Sequence, residues 1–510
     1  MTAPDSLSVA PAVGAEGVSP ASPHAIDRPS GPVSNSEPES ESLYGDYEKV
    51  YPRRAEGPFR RIKTAMNMVL LSIFFVGPWL RWDRGPDAPG QAILIDMPGR
   101  KAYFFAIEIW PQEVYYLTGL LVIAAVALFF ATALLGRVWC GFACFQTVFT
   151  DIFVSIERAI EGERSVRMRL DRGPLTLAKI QRKILKNLAW LGVAAAVGLG
   201  FTLYFGNAPQ FLVDIATFQA GMAPYGTIAV VGGFCFLLAG YAREQVCIYM
   251  CPYARFQGAM MDDESLIVTY EAWRGEKRGK ARKTEDFSQR GHCVDCTLCV
   301  QVCPTGVDIR QGTQLACIGC GLCADACDSI MDRFNLPRGL IRFDSVRNQT
   351  RRAGGESVFI RWLRPRTMIY ITALTVAVVI MALTLATRSR LEVNVLPERS
   401  PLYVTLSDGS IRNGYTFKIL NMERVDTRFS VTIRGLEGAQ MAVVGYDTPA
   451  QEPTTASLPV AGDSVGTFRV YVSADLDVLH GASTPFTFHV ANEANGETLD
   501  HRVNFNAPAR

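Results

Sequence analysis

The chain has 510 residues, 49% of them hydrophobic, and a formal net charge of +2. The length allows roughly three domains of about 150 residues, and the near-neutral charge argues against a nucleic-acid partner held by bulk charge. Thirteen cysteines, all between Cys140 and Cys327, are too sparse and too clustered for a small disulfide scaffold.

Residues 1–42 are rich in Ala, Pro, Ser, Gly and Glu and contain no apolar run. They read as a disordered tail, without the basic start and apolar core of a signal peptide. Residues 43–242 read as a transmembrane region with spans near 65–80, 114–135, 188–205 and 226–241. The second is uncharged and long enough to cross about 30 Å of hydrocarbon. The fourth can be extended backwards through the apolar stretch 211–222. A polar insertion, 243–366, follows, then a last span within 367–388, giving about five crossings. Lys and Arg crowd 43–64 and the loop after the second span and are absent from the loop between the third and fourth. That bias places the N-terminus and the insertion in the cytoplasm and the tail outside. Trp79, Trp82, Trp110, Trp139, Trp190 and Trp362 lie near predicted span ends, where an interfacial belt and ordinary core packing compete as readings.

From 389 to 510 the pattern alternates apolar and polar, as in Tyr403–Leu406, Tyr415–Ile419, Arg428–Ile433, Thr467–Val472 and Phe486–Val490. Turn residues at Ser407-Asp408-Gly409, Asn413-Gly414 and Asn495-Gly496 separate these stretches. Short strands at this spacing predict an antiparallel, immunoglobulin-like β-sandwich. His480, His489 and His501 are scattered through it and suggest no catalytic group.

The chemistry is concentrated in the insertion. Cys293-x2-Cys296-x2-Cys299-x3-Cys303-Pro304 precedes Cys317-x2-Cys320-x2-Cys323-x3-Cys327. This is the bacterial ferredoxin run, present twice, in which the fourth cysteine of each run serves the other cluster. Cys293, Cys296, Cys299 and Cys327 are thus expected to hold one 4Fe–4S cluster, and Cys317, Cys320, Cys323 and Cys303 the other. Gly306, Gly319 and Gly321 let the backbone pass close to the sulfides. Zinc sites use two pairs of ligands, and a reducing cytoplasm disfavours disulfides. The second run ends Cys327-Asp328, without a proline. The basic run Arg274, Lys277, Arg278, Lys280, Arg282, Lys283 reads as a solvated linker, with lipid headgroups as a sharper alternative.

Two further pairs, Cys140-x3-Cys144 and Cys247-x3-Cys251-Pro252, follow the second and fourth spans, on the face expected to be cytoplasmic. At i and i+4 each pair shares one face of a helix. Such thiols bind a soft ion such as Cu(I), form a reversible disulfide, or simply pack. Pro252 puts Cys251 at a helix end. Cys235, inside the fourth span, reads as packing.

Several segments resemble one family. They are Trp139-Cys140-Gly141, Gln146-Thr147-Val148, Arg243-Glu244-Gln245-Val246-Cys247, Met250 to Gln257, Asp295 to Gly306, and Pro337 to Arg342. Together they resemble the cytochrome c oxidase accessory protein family CcoG, also called FixG or RdxA, over roughly 50–510. That family usually has a proline after the first pair, where this chain has Phe145. The resemblance implies a bacterial inner-membrane protein acting in assembly of cbb3-type oxidases, with the task of reducing Cu(II) to Cu(I) for the oxidase copper centre. It carries the cluster ligands onto the eight cysteines from 293 to 327, and the boundary thiols onto Cys140, Cys144, Cys247 and Cys251. The expected partners are the lipid bilayer, a copper chaperone or cbb3 assembly factors, and an unidentified cytoplasmic electron donor. Two other readings stay open. One is a quinol-linked electron-transfer subunit. The other is a non-enzymatic assembly scaffold or redox sensor.

Overall fold

The computed structural model describes residues 49–85, 88–282, 285–446, 454–479 and 481–508. The tail expected over 1–42, Lys283 and His480 lie outside them. Six stretches among the described residues are helices long and apolar enough to cross a membrane, one more than the sequence reading expects. They contain α1 (Pro58–Val76), α2 (Val114–Leu135), α3 (Phe145–Glu161), α4 (Leu177–Thr202), α5 (Met222–Cys235) and, near the C-terminal domain, a helix over Pro365–Ala386.

Five of the six alternate in direction between two polar ends of the molecule. The first end holds the eight-cysteine segment. There α1 begins beside Asp325, whose carboxylate accepts from the backbone N–H of Phe59 and Arg60 at 3.1 and 2.7 Å. A carboxylate at a helix N-terminus satisfies free N–H groups and opposes the helix dipole. At that end too, the carbonyl of Leu134 in α2 accepts from Leu266, and Arg364, which precedes the last helix, pairs with Asp262 at 2.6 Å.

The opposite end carries a three-stranded antiparallel sheet, β1 (Ile93–Asp96), β2 (Lys101–Phe104) and β3 (Ile107–Ile109). Buried Gln91, just before β1, donates to the Leu203 carbonyl at the end of α4 and accepts from the Ala208 N–H.

The additional helix, α3, turns back on the cysteine side. Its start follows Gly141, whose Cα lies against Cys320, and its last residue, Glu161, pairs with Lys183 and Lys186 near the start of α4. Asp151 takes a two-point bond from Arg60 of α1. Glu157 is fully buried and pairs with Arg167 and Arg243. These acidic groups interrupt the hydropathy along the chain, which is why α3 did not read as a span.

Other boundaries shift as well. α1 begins at Pro58 rather than 65, a favoured place for proline at the first helical position, so Lys63 lies inside the helix. The fourth span begins at Met222 and does not reach back to 211, because a separate short helix, Ala208–Ala216, occupies that stretch. Trp190 is not interfacial. It is buried, stacks on Phe153 at 5.4 Å and donates to the Phe153 carbonyl.

The cysteine segment is framed by β4 (Ile267–Tyr270) and β5 (Ile341–Asp344), an antiparallel pair with Val268 opposite Phe343. Two more helices belong to this region, Pro252–Met260 and Leu322–Arg333.

The C-terminal residues form two packed antiparallel sheets. One has the order β10 (Gln440–Val443), β12 (Ser464–Ala474), β8 (Ile411–Asn421), β6 (Leu391–Pro397), with β7 (Val404–Thr405) also on β8. The other runs β11 (Thr455–Val460), β9 (Thr427–Arg434), β13 (Ser483–Asn492), β14 (Thr498–Asn506). Alternate residues such as Tyr415, Phe417 and Ile419 on β8 and Phe429, Val431 and Ile433 on β9 fill the shared core. Asn413-Gly414 is not a turn. Both lie within β8, where buried Asn413 donates to the Asn506 carbonyl of the other sheet at 2.8 Å. The buried amide needs that partner, and supplying it fixes the residue in the strand.

Candidate functional site: two four-cysteine pockets and a four-thiol boundary

The eight ferredoxin-type cysteines line two separate cavities. One is lined by Cys293, Cys296, Cys299 and Cys327, with Tyr270, Ile330, Met331, Leu340 and Ile341 as its apolar wall. The other is lined by Cys303, Cys317, Cys320 and Cys323, with Val268, Val307, Ile309 and Ile318. Each run therefore sends its fourth cysteine into the other run's cavity.

The two loops share a backbone. Asp295 and Thr297, which flank Cys296, have φ of 51° and 56°, and Gly319 and Gly321, which flank Cys320, have φ of 67° and 71°. Left-handed positions are cheap for glycine and costly for threonine, so retaining the shape in the first loop indicates that the shape matters. A side chain at Gly321 would come within 2.8 Å of Phe59 and 2.9 Å of Phe343.

Cys327 lies inside the helix Leu322–Arg333. A proline at 328 would interrupt that helix. Asp328 instead accepts from the Gly339 N–H at 2.8 Å.

Burial pushes the thiols of Cys299 and Cys320 up to about 12. A metal takes such sulfurs by displacing their protons. Four thiols converging in an apolar pocket fit a cubane cluster, which takes four thiolate ligands. Beside the first pocket, Arg310 hydrogen-bonds Asp308 and holds its carboxyl below the usual range. Cys296 is exposed, so this pocket reaches the surface.

The four boundary cysteines gather beside the second pocket. Cys247 lies within electrostatic range of Cys144, Cys140 and Cys251, and burial followed by these neighbours pushes its thiol up to about 12. Cys140 and Cys247 pack against the core of Ala55, Val302, Ile318, Cys320 and Leu322. A side chain on Gly141 would sit 2.9 Å from the Cys320 Cα. All thirteen cysteines are free thiols.

The pairs do not share one continuous helical face, as i,i+4 spacing suggested. Cys140 sits in a one-turn helix, Val138–Phe142, and Cys144 is the extended residue that caps α3. Cys247 sits in a widened helical turn, Val246–Met250, and Cys251 is the extended cap of Pro252–Met260. The two pairs thus repeat one arrangement, and Phe145 holds the first helical position that Pro252 holds in the other. Among the described residues, no three His, Cys, Asp or Glu side chains converge closely enough to hold a single metal ion.

Three groups escaped the sequence reading. Arg137, buried, donates to the carbonyls of Leu315 and Cys317 in the second cluster loop and to that of Ala254 in the helix after Cys251. One guanidinium therefore joins the second pocket to the boundary thiols. Gln257, fully buried, accepts from the Cys140 thiol at 3.3 Å.

The third is a cationic cavity of about 610 Å³ between α1, α3 and the cysteine segment, reaching Cys247. Its wall carries Arg53, Arg54, Arg60, Arg61, Lys63, Arg158 and Arg243 against Glu56, Asp151 and Glu244. Arg53, Arg54, Arg60, Arg61 and Lys63 fall within the basic flank of the first span, which the sequence offered as a topology signal. Elsewhere, Arg274 of the basic run is structural and donates to the carbonyls of Pro337 and Arg338.

Sequence comparisons agree with this layout. Residues 242–346 match a 4Fe–4S dicluster domain, 117–161 a 4Fe–4S binding domain, and 381–508 the IG-like fold at the C-terminus of FixG. The chain is 40% identical over 494 residues to the nitrogen fixation protein FixG of Rhizobium meliloti (strain 1021), covering 91% of this chain and 94% of that protein. It is 42% identical over 438 residues to protein RdxA of Cereibacter sphaeroides, covering 85% and 91% respectively. It is also 41% identical over 480 residues to protein RdxB of the same organism, covering 93% and 99%. Among solved structures, a FixG-related protein from Vibrio parahaemolyticus aligns with 23% of this chain and 96% of its own, at 19% identity and a TM-score of 0.19.

Proposed function

The chain belongs to the FixG/RdxA family of membrane iron–sulfur proteins, and from that premise we propose that it is a cupric reductase serving assembly of cbb3-type oxidases. Cys293, Cys296, Cys299 and Cys327 hold one 4Fe–4S cluster, and Cys303, Cys317, Cys320 and Cys323 hold the other. Bound clusters supply one-electron transfer. Exposed Cys296 opens the first pocket to a soluble one-electron reductant, and buried Cys320 turns the second toward Cys140 and Cys247. The substrate is Cu(II), which takes one electron and leaves as Cu(I). Thiolates favour Cu(I), so a copper acceptor must complete turnover. In this reading the cluster side faces the cytoplasm and the sandwich the periplasm, as the Lys and Arg bias favours.

The observation that carries the reading is the gathering of four free thiols against the second cluster pocket. The test is a Cys247→Ala/Cys251→Ala double variant with both clusters retained. Its rate of Cu(II) reduction should collapse. Reduction at the parental rate would rule out this copper site.

A second reading has one observation in its favour. The 4Fe–4S binding model covers 117–161, where Cys140 and Cys144 are the cysteines present. With Cys247 and Cys251 they make four thiols, enough for a third cluster. Iron analysis of anaerobically purified protein separates the two, at about eight irons per chain for the first and about twelve for the second.

A further inference from the structure

The cationic cavity beside Cys247 has no role in the reading above. Seven lysine and arginine side chains face it against three carboxylates. Several of these charges are already engaged. Arg60 is held by Asp151, Arg54 reaches Glu56, and Arg243 is paired with Glu157.

Lys63 differs. It is 2% exposed, lines the cavity, and makes no hydrogen bond or ion pair with any described residue. It lies within electrostatic range of Cys320 of the second pocket. Its ammonium faces this open space with no carboxylate paired to it, which favours an anion there. Arg158, also in the wall, has only a long contact of 3.9 Å from its Nε to Glu163. Seven cations against three carboxylates around open space, with Arg53, Arg54 and Arg61 exposed, call for a ligand carrying more than one negative charge.

Guanidinium and ammonium groups together suit the several charged oxygens of a phosphate. The volume exceeds what one phosphate fills and leaves room for an organic part. We propose that this cavity binds a phosphate-bearing polyanion, its charge seated on Lys63 between Cys247 and the second cysteine pocket. The phosphate belongs either to a soluble phosphate ester or to a lipid headgroup. The proposal does not depend on copper chemistry and stands or falls separately from it.

The test is calorimetric titration of the full-length, cluster-loaded protein in uncharged detergent with inorganic pyrophosphate. Near-physiological salt removes weak surface association. Saturable one-to-one binding is expected. Lys63→Gln should weaken it by about tenfold or more, which corresponds to about 1.4 kcal/mol. Lys63→Arg should keep it, and Lys280→Gln, in the basic run away from the cavity, should leave it unchanged. If Lys63→Gln does not accumulate, Arg54→Gln/Arg61→Gln, at two exposed cations of the wall, should weaken binding in the same direction. Absence of saturable binding to the parent overturns the proposal, as does parental affinity in Lys63→Gln. Repeating the titration in phosphatidylcholine nanodiscs with and without phosphatidylglycerol identifies the source. Loss of pyrophosphate binding with the anionic lipid assigns the site to a headgroup, and unchanged binding assigns it to a soluble ester.

Discussion

Glu157→Gln is the substitution that most directly tests how the thiol site is supported. Glu157 is fully buried and bonds Arg167 at 3.2 Å and Arg243 at 2.9 Å, with exposures of 0% and 7% for the two arginines. Arg167 in turn donates to the Pro52 carbonyl at 2.6 Å, and Arg243 lies over the Trp190 ring at 5.3 Å. Glutamine keeps the volume and removes the charge, leaving two buried guanidiniums facing one another. Removing one partner of a buried pair costs about 3–5 kcal/mol. Because Glu157 serves two cations, the upper part of that range is expected, about 4–5 kcal/mol. At about 2–4 °C per kcal/mol for a region of this size, the thermal midpoint should fall by about 8–20 °C. The assay is thermal unfolding of purified protein in detergent, followed by tryptophan fluorescence, because Trp190 reports on this spot. Glu163→Gln serves as the control. Its contact with Arg158 is long, 3.9 Å, and half exposed, so it should change stability by under about 1 kcal/mol. A Glu157→Gln midpoint within about 2 °C of the parent would refute the argument that this network anchors α3 under the thiols.

Exchange of fourth ligands between the runs predicts that Cys327→Ala and Cys303→Ala each lower iron from about eight to about four per chain and leave different surviving clusters. Identical EPR spectra for Cys327→Ala and Cys323→Ala would contradict the cross-assignment. Gly321→Ala should cost at least about 1 kcal/mol from its left-handed backbone alone, and more from contact with Phe59 and Phe343. The expected readout is selective loss of iron from the second pocket. In the sandwich, the Tyr415 hydroxyl donates to the Asn504 carbonyl across the two sheets at 2.8 Å. Tyr415→Phe should destabilise that domain by about 1 kcal/mol, measured by pulse proteolysis in urea, with iron content unchanged.

Local spacing carried much of this protein in legible form. The two cysteine runs name their own cofactor because a cubane fixes the number and separation of its thiolates. Apolar length marks the membrane helices because hydrocarbon has a fixed thickness, and period-two alternation marks the strands because side chains alternate across a sheet.

What the sequence left open was settled by distant partners. α3 was hidden because Asp151, Glu157 and Glu161 look like loop charges until Arg60, Arg243 and Lys186 arrive from elsewhere in the fold. Asn413-Gly414 looked like a turn until Asn506 supplied a partner for its amide. Lys63 looked like an ordinary basic flank, and only the packing of α1 against the cysteine segment buries it beside Cys320. Four thiols from two separated pairs became one group by the same means, since the approach of residues more than a hundred positions apart is decided by the packing of whole helices rather than by spacing along the chain.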